Sequence, residues 1–380
     1  MMTRPQPKGW CPSTLQPMES GDGLIVRIKP PFSMLTSSQA QIISQLATRY
    51  GNGFIDFTSR ANLQIRGVTT QHLLPLVTEL QQADLASTDT GRDKLNLILA
   101  PFTEPDTIGW HCAKLLYEAA DTLPDLPAKF GFAIDCGAVR TLTTASADIR
   151  CESDDTGRLI IRCDGCQTGF YSSLVHFMDD IRAVLDWYLS QSDTQSRYPR
   201  MAQILKDYEL PKIWQGQQAN TAIEKLAIGS VSGKQVIAVP YGQSDAQALA
   251  LLARHTTTIH VTTDNRLIVN DYPKDDHSFI TSADDRRFNI RACPGLTSCQ
   301  SGIIETRKIA QKVAEMPDLP ADKTFHISGC AKGCAAPRPH DFCVTGAGSD
   351  YAIIENGCAW DSPSITSLSL DELLNHLKQG

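Results

Sequence analysis

The sequence predicts an α+β protein in which one α/β half-unit occurs twice and two larger mixed α/β domains complete the chain. Two observations support this fold class. A strand, helix and strand pattern at residues 23–57 returns in the same order at residues 234–262, as expected of a duplicated unit. The rest of the 380-residue chain suffices for two further packed units, because single domains mostly contain about 100–200 residues.

The first half-unit is assigned to residues 1–90. Residues 23–30 (GLIVRIKP) alternate as a strand does, and residues 37–49 place apolar side chains at helical spacing behind a serine cap. Residues 54–57 (FIDF) then return to strand character. These elements predict the first copy of the repeated unit.

The second half-unit is assigned to residues 222–275 and repeats that order. It contains a strand at 234–241 (KQVIAVPY), a helix at 244–254 and a strand at 258–262. Similar segments also arise by chance, so the duplication is a hypothesis at this point. If it is correct, a pseudo-twofold axis would create one shared ligand site between the copies.

Two mixed α/β domains are predicted beside the half-units, at residues 91–217 and 285–380. The first is expected to hold strands at 95–101 and 129–135 and helices at 111–122 and 172–192. The second is expected to hold a helix at 303–315 and strands near residue 342 and at 351–355. Periodicity fails at 216–221 and 273–284, which predicts linkers there.

Composition and charge exclude several functional classes. The formal net charge of −7 argues against a nucleic-acid surface, which needs clustered Lys and Arg. Residues 1–17 lack the apolar run of a signal peptide, and no stretch of about 18 apolar residues occurs. We therefore expect a cytoplasmic protein, with no membrane partner, whose twelve cysteines are thiols or metal ligands rather than disulfides.

Four cysteines near the C-terminus are the strongest functional signal. Cys293 and Cys299 lie in ACPGLTSC, and Cys330 and Cys334 lie in SGCAKGC. Two short loops thus supply four thiolates, the ligand count of a 4Fe-4S cluster. Zinc knuckles usually have tighter spacing, and four unrelated buried thiols are the plainer alternative. The pattern predicts an electron-handling protein.

A second cysteine pair carries a weaker signal. Cys163 and Cys166 form a C-x2-C pair in RCDGC, which is compatible with a redox pair. No matching second pair lies nearby, so a reduced turn is the favoured interpretation.

The segment TSRANLQIR follows the strand FIDF. If it continues as a strand, Arg60, Asn62, Gln64 and Arg66 project to one face. Two guanidiniums beside two amides suit carboxylates, although a solvated edge strand has the same pattern. Basic residues on neighbouring predicted elements would serve a polycarboxylate ligand too: Arg27, Lys29, Lys94, Lys129, Arg150, Lys332 and Arg338.

These motifs resemble those of the sulfite and nitrite reductases. TSRANLQIR is similar to their T-x-R-x-N/T-x-Q motif, LPAKFGFAID to their LPRKFK segment, and the cysteine segments to their cluster loops. The resemblance implies a ferredoxin-like, sulfite/nitrite reductase-like fold, in which Arg60 and Lys129 would hold sirohaem carboxylates and Cys334 would bridge cluster and haem iron. Leu95 and Gly131 replace two basic residues of the family, and the chain is much shorter.

One branch resembles the chain more closely. GWCPSTLQPMESGDGLIVRIKP, LPAKFGFAIDCG, SADIR and HISGCAKGCAAPRP are similar, in order, to segments of the precorrin-3B synthase family. That resemblance implies a monooxygenase that hydroxylates precorrin-3A at C20 with dioxygen while a ring A acetate closes a lactone. The tetrapyrrole would contact Arg60, Asn62, Gln64, Arg66, Lys129, Arg27 and Arg150.

The resemblance further implies a mononuclear non-haem iron and an external electron donor. No G-x-G-x-x-G fingerprint follows a predicted strand, so NADH electrons would arrive through a reductase or ferredoxin. The nine histidines form no compact motif; His326 and His340 are the nearest candidates, and the catalytic residues stay unassigned. The alternatives are a sirohaem-dependent sulfite or nitrite reductase and a non-catalytic electron-transfer protein.

Overall fold

The computed structural model describes residues 12–191, 199–223, 225–273, 275–336, 338–348 and 350–379. The described strands form four five-stranded sheets. The predicted α+β class with repeated ferredoxin-like units is confirmed. Within these residues no helix is long and apolar enough to cross a membrane.

The first part of the chain contains the following strands and helices: β1 (Met18–Ser20), β2 (Gly23–Ile28), β3 (Met34–Thr36), α1 (Ser37–Tyr50), β4 (Phe54–Phe57), β5 (Leu63–Val68), α2 (Thr70–Gln82), α3 (Thr90–Lys94), β6 (Leu97–Leu99), α4 (Ile108–Glu118), β7 (Phe132–Asp135), β8 (Ile149–Ser153), β9 (Leu159–Cys163), β10 (Phe170–Tyr171), α5 (Phe177–Gln191) and α6 (Met201–Ile204).

The second part contains β11 (Gly229–Val231), β12 (Lys234–Ala238), β13 (Gln243–Asp245), α7 (Ala246–His255), β14 (Thr258–Val261), β15 (Arg266–Val269), β16 (Ile290–Ala292), α8 (Thr306–Ala314), β17 (Phe325–Ile327), β18 (His340–Ala347), β19 (Asp350–Gly357), β20 (Ile365–Leu368) and α9 (Leu370–Gln379).

The duplication includes the α/β sheets as well as the half-units. Strand order is β10-β9-β8-β7-β6 in the first α/β sheet and β16-β17-β18-β19-β20 in the second. Both sheets have two parallel pairings followed by two antiparallel ones, counted from β6 and from β16. Each half of the chain is therefore one ferredoxin-like unit followed by one α/β unit. The exact domain boundaries stay a prediction.

The two ferredoxin-like sheets exchange one strand. The first sheet has the order β1-β2-β5-β4-β13, and the second has β11-β12-β15-β14-β3. Strand β13 pairs with β4 of the first unit, while β3 pairs with β14 of the second. The same 3-10 turn precedes both exchanged strands, with Phe32 and Tyr241 at φ of 56° and 55°.

Local sequence explains where α1 and α7 begin and why they pack. The Thr36 hydroxyl accepts a hydrogen bond from the Gln39 amide, and the Gln39 side chain accepts one from the Thr36 amide, a capping box. Asp245 caps α7 in a similar way. The Ser37 hydroxyl donates to the Ala253 carbonyl over 2.6 Å, and apolar side chains of both half-units share one core.

One strand prediction was wrong. The strand expected to run through residues 60–66 begins only at Leu63. Residues 58–62 form a turn in which the Thr58 amide donates to the Asn62 carbonyl and Ala61 has a φ of 54°. A left-handed residue cannot continue strand alternation, so Arg60 and Asn62 are turn residues.

Candidate functional site

The four C-terminal cysteines lie in two loops that leave neighbouring parallel strands. Cys293 directly follows β16, and Cys330 follows β17 after two residues. Because β16 and β17 are parallel, their carboxyl ends meet at one edge of the sheet. The fold thereby brings the Cys293–Cys299 loop beside Cys330 and Cys334.

Backbone hydrogen bonds fasten these loops to each other. The Gly329 amide donates to the Cys293 sulfur over 3.1 Å, and the Ile303 amide donates to the Gly329 carbonyl over 2.9 Å. A Cβ on Gly329 would lie only 3.1 Å from the Gly295 Cα. Such close approach of two backbones requires glycine.

The four thiols interact electrostatically. Burial raises the pKa of Cys293, and the nearby thiols of Cys330 and Cys299 act in the same direction, while the Gly329 amide opposes them. Burial, followed by those three thiols, raises the pKa of Cys334 to about 11. Cys334 is nevertheless exposed, because the loops packed around it leave one side open. Thiols gathered in this way ionise only if a cation compensates their charge.

No three histidine, cysteine, aspartate or glutamate side chains in the described ranges are grouped as ligands of a single metal ion. In a 4Fe-4S cube each thiolate binds its own iron atom, so the ligands surround the cluster instead of converging. His326 is the middle residue of β17 and His340 is the first residue of β18, so neither lies in the cysteine loops that follow β16 and β17.

A polar face on the first ferredoxin-like sheet adjoins the cysteine loops. Arg27, Gln64 and Asp56 are cross-strand neighbours, and Arg27 Nη2 donates to Gln64 Oε1 over 2.9 Å. Asp56 Oδ1 accepts from Gln243 Nε2 and from Arg307 Nη2, each over 2.8 Å. Arg307 belongs to α8, so the second α/β unit closes over this face.

Two of the three equivalent positions in the second half are apolar. The register positions of Arg27, Gln64 and Asp56 are taken there by Val236, Ile268 and His260. Val236 and Ile268 pack with Leu226, and Phe102 covers them. The two faces therefore differ in polarity, and the first keeps more polar side chains.

Arg66 connects the polar face to the Cys293–Cys299 loop. It is 3% exposed, and its Nη2 donates to the Ser298 carbonyl and to Ser20 Oγ. The same guanidinium pairs with Asp22 over 3.2 Å and with Asp56 over 3.7 Å. These contacts favour a structural role over the predicted ligand contact.

The fold brings Arg60 to the backbone of Lys129, although the two lie far apart in sequence. Arg60 Nη2 donates to the Lys129 carbonyl over 3.3 Å and to Ser146 Oγ over 3.1 Å. Ser146 Oγ also accepts from Arg200 Nη1 over 2.9 Å. Sequence reasoning missed Arg200, because only the fold brings it to the SADIR segment.

Arg150 is a buried residue that supports the segment carrying Ser146. It is 4% exposed and donates to the carbonyls of Leu142 and Ala145 over 2.8 and 2.7 Å. Its Nε pairs with Asp164 over 2.7 Å. These contacts hold the segment that carries Ser146, so they do not favour a direct ligand contact for Arg150.

Asn62 and the C-x2-C pair complete the predicted residues. Asn62 is buried in the 58–62 turn, and its backbone N–H donates to Thr58 Oγ1 over 3.2 Å. Cys163 and Cys166 are free cysteines on a turn closed by a bond from the Cys166 amide to the Cys163 carbonyl. The pair is remote in the fold from the C-terminal cysteines, since it follows β9 of the other α/β sheet.

Known proteins share both the fold and the order of these segments. Residues 16–83 match the family described as "Nitrite/Sulfite reductase ferredoxin-like half domain". A precorrin-3B synthase of Sinorhizobium sp is 27% identical over 94% of this chain and 84% of its own length. The predicted resemblance to precorrin-3B synthase is confirmed.

Other relatives belong to the same superfamily. A ferredoxin–nitrite reductase of Synechococcus elongatus is 23% identical over 85% of this chain and 76% of its own length. The structure of the Mycobacterium tuberculosis NirA protein has a TM-score of 0.67 at 15% identity, covering 93% of this chain and 79% of NirA. The NirA comparison supports the fold, and the sequence relatives place the chain among oxidoreductases that resemble precorrin-3B synthase.

We predict that Arg66→Ala loosens the Cys293–Cys299 loop. Removing the guanidinium leaves Asp22 without its ion-pair partner, while Asp56 keeps its pair with Arg307. Breaking a buried pair costs about 3–5 kcal/mol in comparable cases. Hydrogen exchange across residues 293–303 should accelerate, as measured by mass spectrometry of peptides. Arg49→Ala is the control, since its pair with Glu79 is exposed. Wild-type exchange in Arg66→Ala would refute the role given to this residue.

Proposed function

We propose that this protein is an oxygen-dependent monooxygenase that converts precorrin-3A to precorrin-3B. The observation that carries the proposal is the polar face of the first half-unit, which adjoins four cysteines in a chain similar to precorrin-3B synthase along 94% of its length. Two of the three matching positions in the second half are apolar and belong to a hydrophobic cluster. A polycarboxylate tetrapyrrole therefore has one suitable surface among the two.

Cys293, Cys299, Cys330 and Cys334 are the residues that would hold a 4Fe-4S cluster. Their fit rests on four mutually close thiols, on the Gly329 amide that donates to the Cys293 sulfur, and on glycines that admit close backbone approach. When bound, such a cluster supplies single electrons. Hydrogen bonds to ligand atoms, such as the one from the Gly329 amide to the Cys293 sulfur, orient the ligands of a metal site.

The substrate carboxylates would meet Arg60, Lys129, Arg27 and Gln64. Arg60 and Lys129 lie at one end of the polar face, next to Ser146. Arg27 and Gln64 lie in its middle and already share a hydrogen bond, which orients both side chains. Guanidinium groups bind carboxylates through two parallel hydrogen bonds, so these residues would orient the macrocycle by its rim.

Arg66 and Arg150 would position this surface without touching the substrate. Arg66 ties the sheet to the cysteine loop, and Arg150 holds the segment that bears Ser146. Asn62 would set the turn that presents Arg60. Their burial leaves the half-buried Arg60 and Lys129 as the more accessible residues of the site.

No ligands are assigned to a mononuclear non-haem iron, because the described residues present no three-ligand group. Electrons would come from NADH through a reductase or ferredoxin, and we expect the protein to act in the cytoplasm. Dioxygen is the other co-substrate of the proposed reaction.

A sirohaem-dependent sulfite or nitrite reductase is the second candidate. It is favoured by the nitrite reductase relative that matches 85% of this chain and by the exposed Cys334, which would reach a haem iron. Leu95 and Gly131 stand against it, since basic residues occupy these positions in the reductases that the chain resembles. A Cβ on Gly131 would lie 3.3 Å from the Asn96 carbonyl oxygen, which leaves little room for a longer side chain.

We predict that serine at any of the four cysteines removes most bound iron and sulfide. A cube held by three protein thiolates is labile. Cys293→Ser, Cys299→Ser, Cys330→Ser and Cys334→Ser should each show the loss by iron and sulfide analysis. Cys163→Ser and Cys166→Ser are the controls and should retain wild-type content. Full content in two or more variants of the first group would refute the ligand set.

We predict that Arg60→Ala and Lys129→Ala each weaken tetrapyrrole binding roughly tenfold to hundredfold. A charge-assisted contact contributes about 1.5–3 kcal/mol. Arg27→Ala should act in the same direction. Titration of tetrapyrrole fluorescence measures the affinity, and Arg254→Ala on the outer surface of α7 is the matched control. Unchanged affinity in all three site variants would show that the tetrapyrrole binds to another face of the protein.

The reaction itself is tested with isotopically labelled dioxygen. Precorrin-3A, reductant and labelled gas should yield a hydroxylated lactone that carries one heavy oxygen atom. The second oxygen atom leaves as water after two electrons and two protons are taken up, and the lactone oxygen stays light because it comes from the acetate. Mass spectrometry of the product decides this. Anaerobic reduction of sulfite or nitrite by protein that retains sirohaem would instead establish the reductase.

A further inference from the structure

Basic side chains gather in the second half of the chain, outside the site described above. Arg266 begins β15, Arg291 lies in β16, His326 in β17, and His340 begins β18. Lys225 lies close enough to His340 to lower the pKa of that imidazole, after burial and Arg291. These five residues are called the basic cluster here.

Arg266 is buried with part of its hydrogen-bonding capacity unused. The side chain is 2% exposed, and its guanidinium lies 5.0 Å from the centre of the Phe288 ring. Nη1 pairs with Asp264, but Nε has no hydrogen-bond partner among the residues that the structure describes. A buried donor without an acceptor costs free energy, so an acceptor brought by a ligand would stabilise it.

Arg291 adds a second positive charge without a counterion. No hydrogen bond or ion pair to its side chain occurs among the described residues. Among the described residues, Arg266 and Asp264 are the charged groups that act on its guanidinium. One carboxylate thus faces two guanidiniums.

His326 projects from the same face of the sheet. It is in register with Arg291 on one side and with Cys343 on the other, and neighbours in register share a face. The side chain is fully buried, and Nδ1 lies 3.5 Å from the Cys343 sulfur. Within the described part of the chain, Nε2 has no hydrogen-bond partner. Its ring lies 5.5 Å from that of His340.

Two neighbouring acids do not neutralise this group. Asp264 accepts from Thr262 Oγ1 over 2.6 Å in addition to pairing with Arg266. Asp341 adjoins His340 but accepts two hydrogen bonds from Thr324 and pairs with Lys323 over 3.6 Å. The basic cluster therefore keeps an excess of donors and positive charge.

We propose that the basic cluster is a second anion site, which binds a small oxyanion through Arg291, Arg266 Nε and His326 Nε2. Guanidiniums with free N–H groups bind oxyanions through charge-assisted hydrogen bonds. Arg266 takes the position that Asn62 has in the first half, because residues 262–266 are closed by the same hydrogen bond as residues 58–62. Phe102 and its apolar neighbours fill the adjacent face of the second ferredoxin-like sheet.

The test uses inorganic phosphate and the full-length protein at constant ionic strength. Wild-type protein should bind phosphate saturably in isothermal titration, and Arg291→Ala should weaken binding at least tenfold. Arg291 is half-buried and unpaired, so its removal should leave the fold intact. Arg254→Ala is the control and should bind as the wild type does.

A site-specific readout accompanies the titration. In protein labelled with ¹⁵N-histidine, phosphate should shift the ring signals of His326 and His340 in the wild type but not in Arg291→Ala. A parallel titration with succinate distinguishes a carboxylate site from a phosphate site. Absence of saturable binding of both anions, or equal binding by Arg291→Ala, overturns the proposal. Neither measurement involves tetrapyrrole, so its outcome is independent of the proposed monooxygenase activity.

Discussion

The buried guanidinium of Arg66 is the interaction on which the geometry of the candidate site depends. It joins the first ferredoxin-like sheet to the cysteine loop through the Ser298 carbonyl, while Asp22 and Asp56 balance its charge. A buried charge is tolerated only when it is paired and hydrogen-bonded. The contact therefore holds the loop at a set position against the polar face, and both parts of the site rely on it.

Duplication followed by divergence explains why the two halves differ in chemistry. The sheets share one topology, yet the first half has Arg27 and Gln64 where the second has Val236 and Ile268. The α/β sheets diverge in the opposite sense, because the row Arg291–His326 replaces Ile98–Ala133. Each half thus has a polar region, which lies in the ferredoxin-like sheet of the first half and in the α/β sheet of the second.

Local patterns predicted the half-units and the cysteine loops, because strand alternation, helix caps and cysteine spacing are each properties of a short segment of sequence. Contacts between residues far apart in the sequence could mostly not be predicted. Arg66 and Arg150 resemble Arg60 in the sequence, and only burial separates these two supporting arginines from the half-buried Arg60. The turn at residues 58–62 was missed because alternating polar residues mimic a strand, while the positive φ of Ala61 leaves no mark in the sequence. The duplicated α/β units share topology without an evident common motif.

The reciprocal exchange of β3 and β13 bears on the origin of the chain. Each half supplies a strand to the sheet of the other. The edge strand of each ferredoxin-like sheet is therefore paired by a strand from the other half. A single half would leave that edge open to pairing with another chain. Two identical halves would satisfy each other about a twofold axis, as in a domain-swapped homodimer. The arrangement is therefore that of an ancestral dimer whose subunits became covalently fused, after which each could change without altering its twin.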